Sequence, residues 1–419
     1  MTGLAAGIKS GFPVFEAQAV PGGICSSYYL EPGSRERKTL AEASKKAYRF
    51  EYGGGHWIFG GDAEILDFIG QYITVKKYSR SSAVYLPARD HYVPYPLQYH
   101  LSYLDEKESA ASLKELAAAS LDGIRTMEDW VRAQFGSTLN TLFFAPFHEL
   151  YTAGLWSRIR PQDNYKTPLD INIVKQGAAD KTPAVGYNAT FVYPEEGLDG
   201  LALKMADACD VRYDKRIVRI NTQDQKIVFQ DGQEASYDKL FSSLPLNEMV
   251  QMAGMEIKSK ADPHTAVLVM NIGAVKGPRC PDEHWIYVPS SDAGFHRVGF
   301  YSNVDSHFLP ADPADGRDRV SLYIERAFLP GEKPSAEEIK KYEEEVVSQL
   351  QAWGMIETAE AIDSTWVEVA YTWSWPDSNW IDEAIDTLRS HGIEMLGRYG
   401  RWHFQGIASS IREGLGIKI

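Results

Sequence analysis

The chain has 419 residues, of which 44% are hydrophobic and 24% charged, a composition typical of a globular protein with about two or three structural units. Its formal net charge of -14 argues against a nucleic-acid-binding surface. The three cysteines are far apart and show no metal or disulfide spacing, and no apolar run has the roughly 20 residues of a membrane span. We therefore expect a cytoplasmic protein in a reducing compartment, with no metal and no membrane partner.

The first stretch has the pattern of a dinucleotide-binding unit. Residues 3–9 are small and apolar, which predicts a helix whose N-terminus, at Thr2 and Gly3, approaches a pyrophosphate. A short apolar strand, 12–15, ends at Glu16, whose carboxylate can accept hydrogen bonds from ribose hydroxyls. Gly22 and Gly23 then allow backbone amides to approach a phosphate. The pattern favours FAD over NAD as the cofactor.

The usual fingerprint begins with a strand and Gly-x-Gly-x-x-Gly, of which only the last glycine, Gly3, is present. Residues 1–7 taken alone are also compatible with an ordinary small-residue helix. We expect either that the sequence starts at an internal methionine or that the first strand is lacking. In the second case flavin affinity would fail and the chain would be a non-enzymatic remnant.

The next elements are read from their periodicity. Residues 31–47 are polar and predict a surface loop leading into a helix, and 48–52 read as a strand that ends in three glycines before His56. Residues 63–72 predict a helix. Two short strands, 82–86 and 91–96, form a hairpin.

Helical patterns then run from residue 101 to residue 156, with one helix over 112–119 and another capped by Thr126 and Asp129. A loop over 158–168 follows. The remaining patterns are a strand at 186–194, a helix to Cys209, a hairpin at 216–220 and 226–229, and a strand at 239–245.

The last third begins with a second β-rich region, 264–328, followed by a helix over 335–353 with a capping box at Ser335 and Glu338. Residues 396–402 predict a strand and a glycine turn before a C-terminal helix that starts near Ile407. The predicted fold class is α/β, with an α+β substrate part: a Rossmann-like FAD/NAD(P)-binding domain, an inserted helical block and an antiparallel β-sheet domain. The predicted boundaries are 1–77, 196–262 and 385–419 for the first, 101–168 for the second, and 78–100, 169–195 and 263–384 for the third.

Several motifs resemble those of UDP-galactopyranose mutases, closest to their eukaryotic-type branch. They extend in order over nearly the whole chain: Glu16, residues 21–23, 54–59, 93–98, 188–191 and 285–287, Arg297, residues 301–303 and 397–400. The first and last motifs alone are shared with the wider superfamily of amine-oxidase-like and protoporphyrinogen-oxidase-like flavoproteins. The middle motifs are more specific.

The resemblance implies a flavin-dependent isomerase that contracts the sugar ring of a nucleotide sugar from pyranose to furanose through an adduct with reduced FAD, with NAD(P)H as a candidate reductant. It implies catalytic roles for His56 and Arg297. The implied cofactor-binding residues are Thr2, Gly3, Glu16, Gly22, Gly23, Gly54, Gly55, His56, Gly397 and Arg398. The implied substrate-binding residues are Tyr95, Gln98, Asn188, Trp285, Tyr287, Arg297, Asn303, Trp375 and Phe404.

The chemistry of these residues agrees with such roles but also allows plainer ones. The His56 imidazole can hydrogen-bond to a flavin edge, or it is a surface histidine after a turn. Tyr95 and Gln98 can hold a uracil by stacking and amide hydrogen bonds, or they end an edge strand. The Arg297 guanidinium is a bidentate fork for a diphosphate, or it lies on a solvated strand face. Arg158 and Arg160 are both candidates for a second arginine.

Three positions depart from the family pattern, because Val304, Trp375 and Phe404 stand where the resemblance implies diphosphate-binding tyrosines. Each lost hydrogen bond to a charged group would cost roughly 1.5–3 kcal/mol unless it is replaced. His296, His403 and Gln405 are nearby replacements. A different nucleotide sugar, or an FAD-dependent oxidoreductase that acts on a small molecule, is therefore the alternative function. The sequence leaves the oligomeric state open.

Overall fold

The computed structural model describes residues 1–162, 169–180, 189–312 and 316–419. The helices are α1 (Thr2–Ser10), α2 (Ala63–Gly70), α3 (Glu106–Ala117), α4 (Met127–Leu139), α5 (Ala145–Tyr151), α6 (Ile171–Ala179), α7 (Gly197–Asp207), α8 (Leu246–Met252), α9 (Tyr301–Val304), α10 (Ala336–Ala352), α11 (Trp380–Arg389), α12 (Gly397–Gly400) and α13 (Ile407–Leu415).

The first ten strands are β1 (Val14–Phe15), β2 (Ser27–Leu30), β3 (Tyr48–Glu51), β4 (Ile58–Phe59), β5 (Val75–Ser79), β6 (Ser82–Leu86), β7 (His91–Pro94), β8 (Thr190–Pro194), β9 (Val211–Arg212) and β10 (Ile217–Asn221). The others are β11 (Lys226–Phe229), β12 (Glu234–Ser236), β13 (Leu240–Ser242), β14 (His264–Lys276), β15 (Trp285–Tyr287), β16 (Arg297–Phe300), β17 (Arg319–Phe328), β18 (Ile356–Thr372) and β19 (Ile393–Met395).

A seven-stranded sheet with the order β18-β14-β17-β16-β15-β6-β7 is the main scaffold. Its pairs are antiparallel except for β15 and β6, which run parallel. Strands β14 and β17 are buried along most of their length on both faces, and β14 reads as a nearly continuous apolar run. Helix α10 covers one face with Tyr342, Val346 and Leu350. The other face is turned towards the N-terminal unit.

The N-terminal unit is built on helix α1 and short parallel strands. Strand β1 pairs with β9 and strand β13 pairs with β19, and within the described residues no strand joins the two pairs. Helix α13 packs on α1 so closely that a Cβ at Gly414 would lie 2.4 Å from the Thr2 carbonyl oxygen. The mixed α/β architecture agrees with the fold class expected from the sequence.

Helices α3 to α6 form the helical block, whose core contains Trp130, Phe135, Phe144 and Trp156. Both predicted capping boxes are confirmed. Thr126 Oγ1 accepts from the Asp129 amide at 3.1 Å, and the Asp129 carboxylate accepts from the Thr126 amide at 2.9 Å. Ser335 and Glu338 form the same pair of hydrogen bonds at the start of α10. None of the helices in the described ranges is long and apolar enough to cross a membrane.

Two local predictions are wrong. No helix forms within residues 31–47, because Arg35 reaches Glu343 of α10 and Arg37 reaches Asp363 of β18, and these ion pairs hold the segment against both elements. The strand predicted at 396–402 lies earlier, at β19, and is followed by the helical turn α12. Sequence periodicity also missed β18, whose register shifts break the alternation of buried and exposed residues.

Candidate active site

A cavity of about 950 Å³ lies between the N-terminal unit, the large sheet and the helical block. Its volume is at the upper end of the range for ligand pockets. Residues from the start of α1, the glycine loop after β3, strands β14 to β18 and helices α4 and α5 line it.

One end of the cavity is formed by the first residues of α1, by Glu16 and by the glycine pair. Strands β1 and β9 are parallel, so both end at the same edge. Glu16 follows β1 directly and therefore lies at this edge. Its Oε1 accepts a hydrogen bond from the Gln18 amide at 2.8 Å, and burial raises the pKa of its carboxyl group. Gly22 has φ +102°, and a Cβ there would lie 2.7 Å from the Cys25 carbonyl oxygen. The close contacts and the positive φ therefore require glycine at this position.

The loop from Gly53 to His56 lies against strand β17 in the middle of the cavity. Gly54 has φ +79°, and a Cβ at Gly55 would lie 2.2 Å from the Tyr323 hydroxyl oxygen. His56 Nδ1 is 3.1 Å from the Gly54 carbonyl oxygen, which can only accept, so Nδ1 carries the proton. Burial lowers the pKa of His56 to about 4. His56 is therefore neutral at pH 7, and its Nε2 is a hydrogen-bond acceptor.

The turn at Gly397 and Arg398 closes the cavity from the C-terminal side. Gly397 has φ +73°, and its amide donates to Glu413 Oε2 at 3.0 Å. The Arg398 guanidinium donates to the Ala370 carbonyl at 2.9 Å and lies 4.9 Å from the centre of the Phe404 ring. Its Nε is buried and has no hydrogen-bond partner within the described chain. An anionic or carbonyl group of a ligand would satisfy it.

The other end of the cavity is built by one row of side chains across the sheet. Strand register pairs Tyr287 with Arg297, Arg297 with Glu325, and Glu325 with Val269. Arg297 Nη1 lies 3.3 Å from Glu325 Oε1, and its guanidinium is 5.5 Å from the centre of the Tyr287 ring. The Tyr95 and Tyr287 ring centres are 4.6 Å apart. A cation is thus placed beside a pair of aromatic rings.

The charges of Glu325 and Arg297 depend on the groups that lie next to them. Burial by itself would raise the pKa of Glu325, but Arg297 and His296 lower it more, to about 2. Burial likewise opposes the charge of Arg297, whereas Glu325 holds the pKa of Arg297 well above its usual range. Both groups are therefore charged at neutral pH.

The helical block supplies an apolar wall that the sequence did not reveal. It consists of Met127, Trp130, Phe143, Phe144 and Phe147, of which Phe143 and Phe144 lie in a π-helical turn over Asn140–Phe144. His148, Tyr151 and Gln162 add polar groups to the wall. Burial lowers the pKa of His148 to about 4.

Most residues that the sequence predicted for the site line this cavity: Thr2, Gly3, Glu16, Gly22, Gly23, Gly55, His56, Tyr95, Trp285, Tyr287, Arg297, Gly397, Arg398 and Phe404. Gly54 lies in the same loop behind its lining. Arg158 and Arg160 do not line it. Asn188 lies outside the described residues.

Four further residues that the sequence analysis named for the site do not line the cavity. Gln98 is completely buried, and Val304 packs in the core. Asn303 Nδ2 donates to the Pro281 and Glu283 carbonyl oxygens, both at 2.8 Å. Trp375 Nε1 donates to the Ala261 carbonyl at 2.9 Å, so this indole hydrogen is already used. In this structure none of the four reaches the lining.

Sequence reasoning did not single out Tyr323 and Glu325. The available signal was Glu325 itself, an acidic residue in β17 that follows the apolar residues Tyr323 and Ile324. All three side chains are buried. Tyr371 donates to Glu325 Oε2 at 3.3 Å. Their role follows from strand pairing, which the sequence does not display.

No family model and no curated protein matches the chain. Comparison with solved structures gives a reduced UDP-galactopyranose mutase at TM-score 0.83 and 20% identity, covering 99% of this chain and 90% of the other. The chain has the fold of UDP-galactopyranose mutase. A protein assigned as a protoporphyrinogen oxidase, from Exiguobacterium sp. 255-15, matches at TM-score 0.66 and 14% identity over 99% of this chain and 95% of the other.

A putrescine oxidase solved with putrescine matches at TM-score 0.54 and 14% identity, again over 99% of this chain and 95% of that one. The UDP-galactopyranose mutase fold is thus shared with oxidases, as the sequence resemblance implied. At these identities the likeness concerns the fold, and the activity is argued from the site.

Proposed function

We propose that the protein is an FAD-dependent nucleotide-sugar mutase of the UDP-galactopyranose mutase type. One observation carries this proposal. A single cavity connects the dinucleotide-type end, at Thr2, Glu16 and Gly22, with Arg297 and the ring pair at the other end. A flavin cofactor and an anionic aromatic substrate need those two ends in one cavity.

The residues present fit FAD. The amides at the start of α1 and the backbone of Gly22 and Gly23, which line the cavity, suit a diphosphate, and the Glu16 carboxylate suits ribose hydroxyls. The unpartnered Arg398 Nε suits a carbonyl or phosphate oxygen. When bound and reduced, the flavin supplies a nucleophilic ring nitrogen, and NAD(P)H is a candidate reductant.

The chain's own residues would bind and orient the substrate. Arg297 would neutralise the diphosphate, and Tyr95 with Tyr287 would stack on the base. Neutral His56 would accept a hydrogen bond at Nε2 from a cofactor or sugar N–H or O–H group. The apolar wall of the helical block would exclude water.

The test is an absorbance spectrum of the purified protein, followed by dithionite reduction with UDP-galactopyranose and chromatography of the products. We expect bound flavin, and furanose that forms only in the reduced sample. Protein without flavin would contradict the cofactor assignment. Flavin without sugar conversion would contradict the mutase assignment.

A second candidate is an FAD-dependent oxidoreductase of the amine-oxidase or protoporphyrinogen-oxidase type that acts on a small molecule. The specific observation in its favour is the apolar wall together with Phe404, which lines the cavity and lacks the phenol hydroxyl group that would bind a diphosphate. UDP separates the two candidates. At a hundred times its dissociation constant a ligand stabilises the folded state by about 2.7 kcal/mol, so a mutase should show a raised melting temperature with UDP. An oxidoreductase for apolar substrates should not.

A further inference from the structure

The carboxylate of Glu325 lies at the end of the cavity where the proposed function places the substrate diphosphate, beside Arg297. This is an unusual place for a negative charge. It faces Arg297 at 3.3 Å and is almost fully shielded from solvent, with 5% of its side chain exposed. A ligand phosphate that approaches Arg297 therefore meets a carboxylate that already occupies one side of the guanidinium.

Glu325 is fixed in this position by its surroundings. Its Oε2 accepts from the Tyr371 hydroxyl at 3.3 Å and lies 3.5 Å from His296 Nε2. On the loop side, a Cβ at Gly54 would lie 3.2 Å from Glu325 Oε1, so the loop backbone packs directly on the carboxylate. The group cannot swing away when an anion arrives without disturbing these contacts.

The geometry points to Glu325 as a specificity-determining residue that makes Arg297 selective against small free anions. A free anion gains only the attraction of Arg297, and the fixed carboxylate cancels much of it. A diphosphate joined to an aromatic base gains in addition the stacking surface of Tyr95 and Tyr287, whose ring centres are 4.6 Å apart. The site therefore accepts diphosphates that carry a flat ring and rejects inorganic phosphate, pyrophosphate and sulfate. This inference rests on the proposed function for the identity of the ligand.

The experiment compares the affinities of the flavin-loaded protein for inorganic pyrophosphate and for UDP, by calorimetry at constant ionic strength. The variant Glu325→Gln keeps the shape of the side chain and removes its charge. We expect its affinity for pyrophosphate to rise on the order of tenfold, and its affinity for UDP to rise by no more than the same factor, because the contacts of the base with Tyr95 and Tyr287 do not depend on Glu325. The double variant Glu325→Gln/Arg297→Gln should not show this rise in pyrophosphate affinity, which would establish that the rise depends on Arg297.

Unchanged or weaker pyrophosphate binding by a folded Glu325→Gln protein would overturn the inference. If this variant does not fold, Glu325→Asp withdraws the carboxylate from Arg297 and should give a smaller gain, and no gain would count against the inference. The proposed function is tested separately, by measuring UDP binding to the unchanged protein. If the unchanged protein does not bind UDP while Glu325→Gln still gains pyrophosphate affinity, the mutase assignment is rejected, and only the part of the inference that concerns free anions stands.

Discussion

The phenol of Tyr193 donates a hydrogen bond to Glu51 Oε1 in the interior of the protein, where both side chains are almost fully shielded from solvent. The Ser27 hydroxyl donates to the same oxygen at 3.0 Å. This contact joins β8 to the end of β3, immediately before the glycine loop of the cavity. Burial raises the pKa of Glu51 to about 8, although Arg49 and Tyr193 act in the opposite direction.

The raised pKa of Glu51 predicts that stability falls as the pH rises from about 4.5 to about 8. Because the folded state binds this proton more tightly than the unfolded state, its contribution is complete below pH 4.5 and is lost as the pH rises through about 8. Each unit of pKa difference corresponds to about 1.4 kcal/mol. Chemical denaturation at pH 5, 7 and 9 should show the free energy of unfolding falling with pH.

The variant Glu51→Gln should flatten that pH dependence, since an amide oxygen still accepts from Tyr193 and does not titrate. Glu344→Gln, on the exposed face of α10, is the matched control and should leave the slope unchanged. Equal slopes for the natural protein and Glu51→Gln would show that another group is responsible.

Gly55→Ala should displace the glycine loop. The added Cβ would lie 2.2 Å from the Tyr323 hydroxyl oxygen, and Tyr323 is 1% exposed, so its ring has little room to move. We expect a loss of about 1–3 kcal/mol in the free energy of unfolding, together with weaker flavin retention. The control is Gly70→Ala at the end of α2, where a Cβ meets nothing within 4 Å and stability should be unchanged or higher. Similar behaviour of both variants would contradict this account of the loop.

Arg297→Lys should weaken UDP binding. A lysine keeps the positive charge but loses the planar fork, and a hydrogen bond to a charged group contributes about 1.5–3 kcal/mol. Calorimetry should give a dissociation constant on the order of ten- to a hundredfold higher. Arg219→Lys, on an exposed part of β10, should bind UDP as the natural protein does. An unchanged affinity in Arg297→Lys would place the diphosphate elsewhere.

Thr126→Ala should loosen the wall of the helical block. It removes the hydroxyl that accepts from the Asp129 amide at 3.1 Å, and loss of such a cap costs about 1 kcal/mol. Helix α4 begins at Met127, which lines the cavity, so weaker ligand binding should accompany the lower melting temperature. The control is Thr141→Ala, at an exposed position. It tests whether the loss of any threonine weakens ligand binding and lowers the melting temperature in the same way.

Local signals predicted much of the fold. The capping boxes at Thr126 and Ser335 were readable because each consists of a polar residue and an acidic residue three positions apart, which act within one helical turn. Glu16 and Gly22 were also readable, because a ribose contact and a close backbone approach depend on residue type at short spacing. These signals were sufficient for the α/β class and for most of the residues at the dinucleotide-type end.

Other features were not local. The segment 31–47 was expected to lead into a helix, but Arg35 and Arg37 pair with acids more than 300 residues away. Asn303 and Trp375 were expected to face a substrate, and the structure uses their donors for backbone carbonyls instead. Side-chain direction depends on which partner is near, and that is known only after folding.

The sequence by itself therefore determined the α/β class, the helix starts, the glycine loop before His56 and the candidate residues of the dinucleotide-type end. Only the tertiary structure decided that Glu325 faces Arg297 and that Tyr287 continues the same row. These residues lie on separate strands, and each reaches the row through a register set by the pairing of whole strands. A shift of one residue in any strand would turn its side chain to the other face of the sheet, so no local pattern can specify the row.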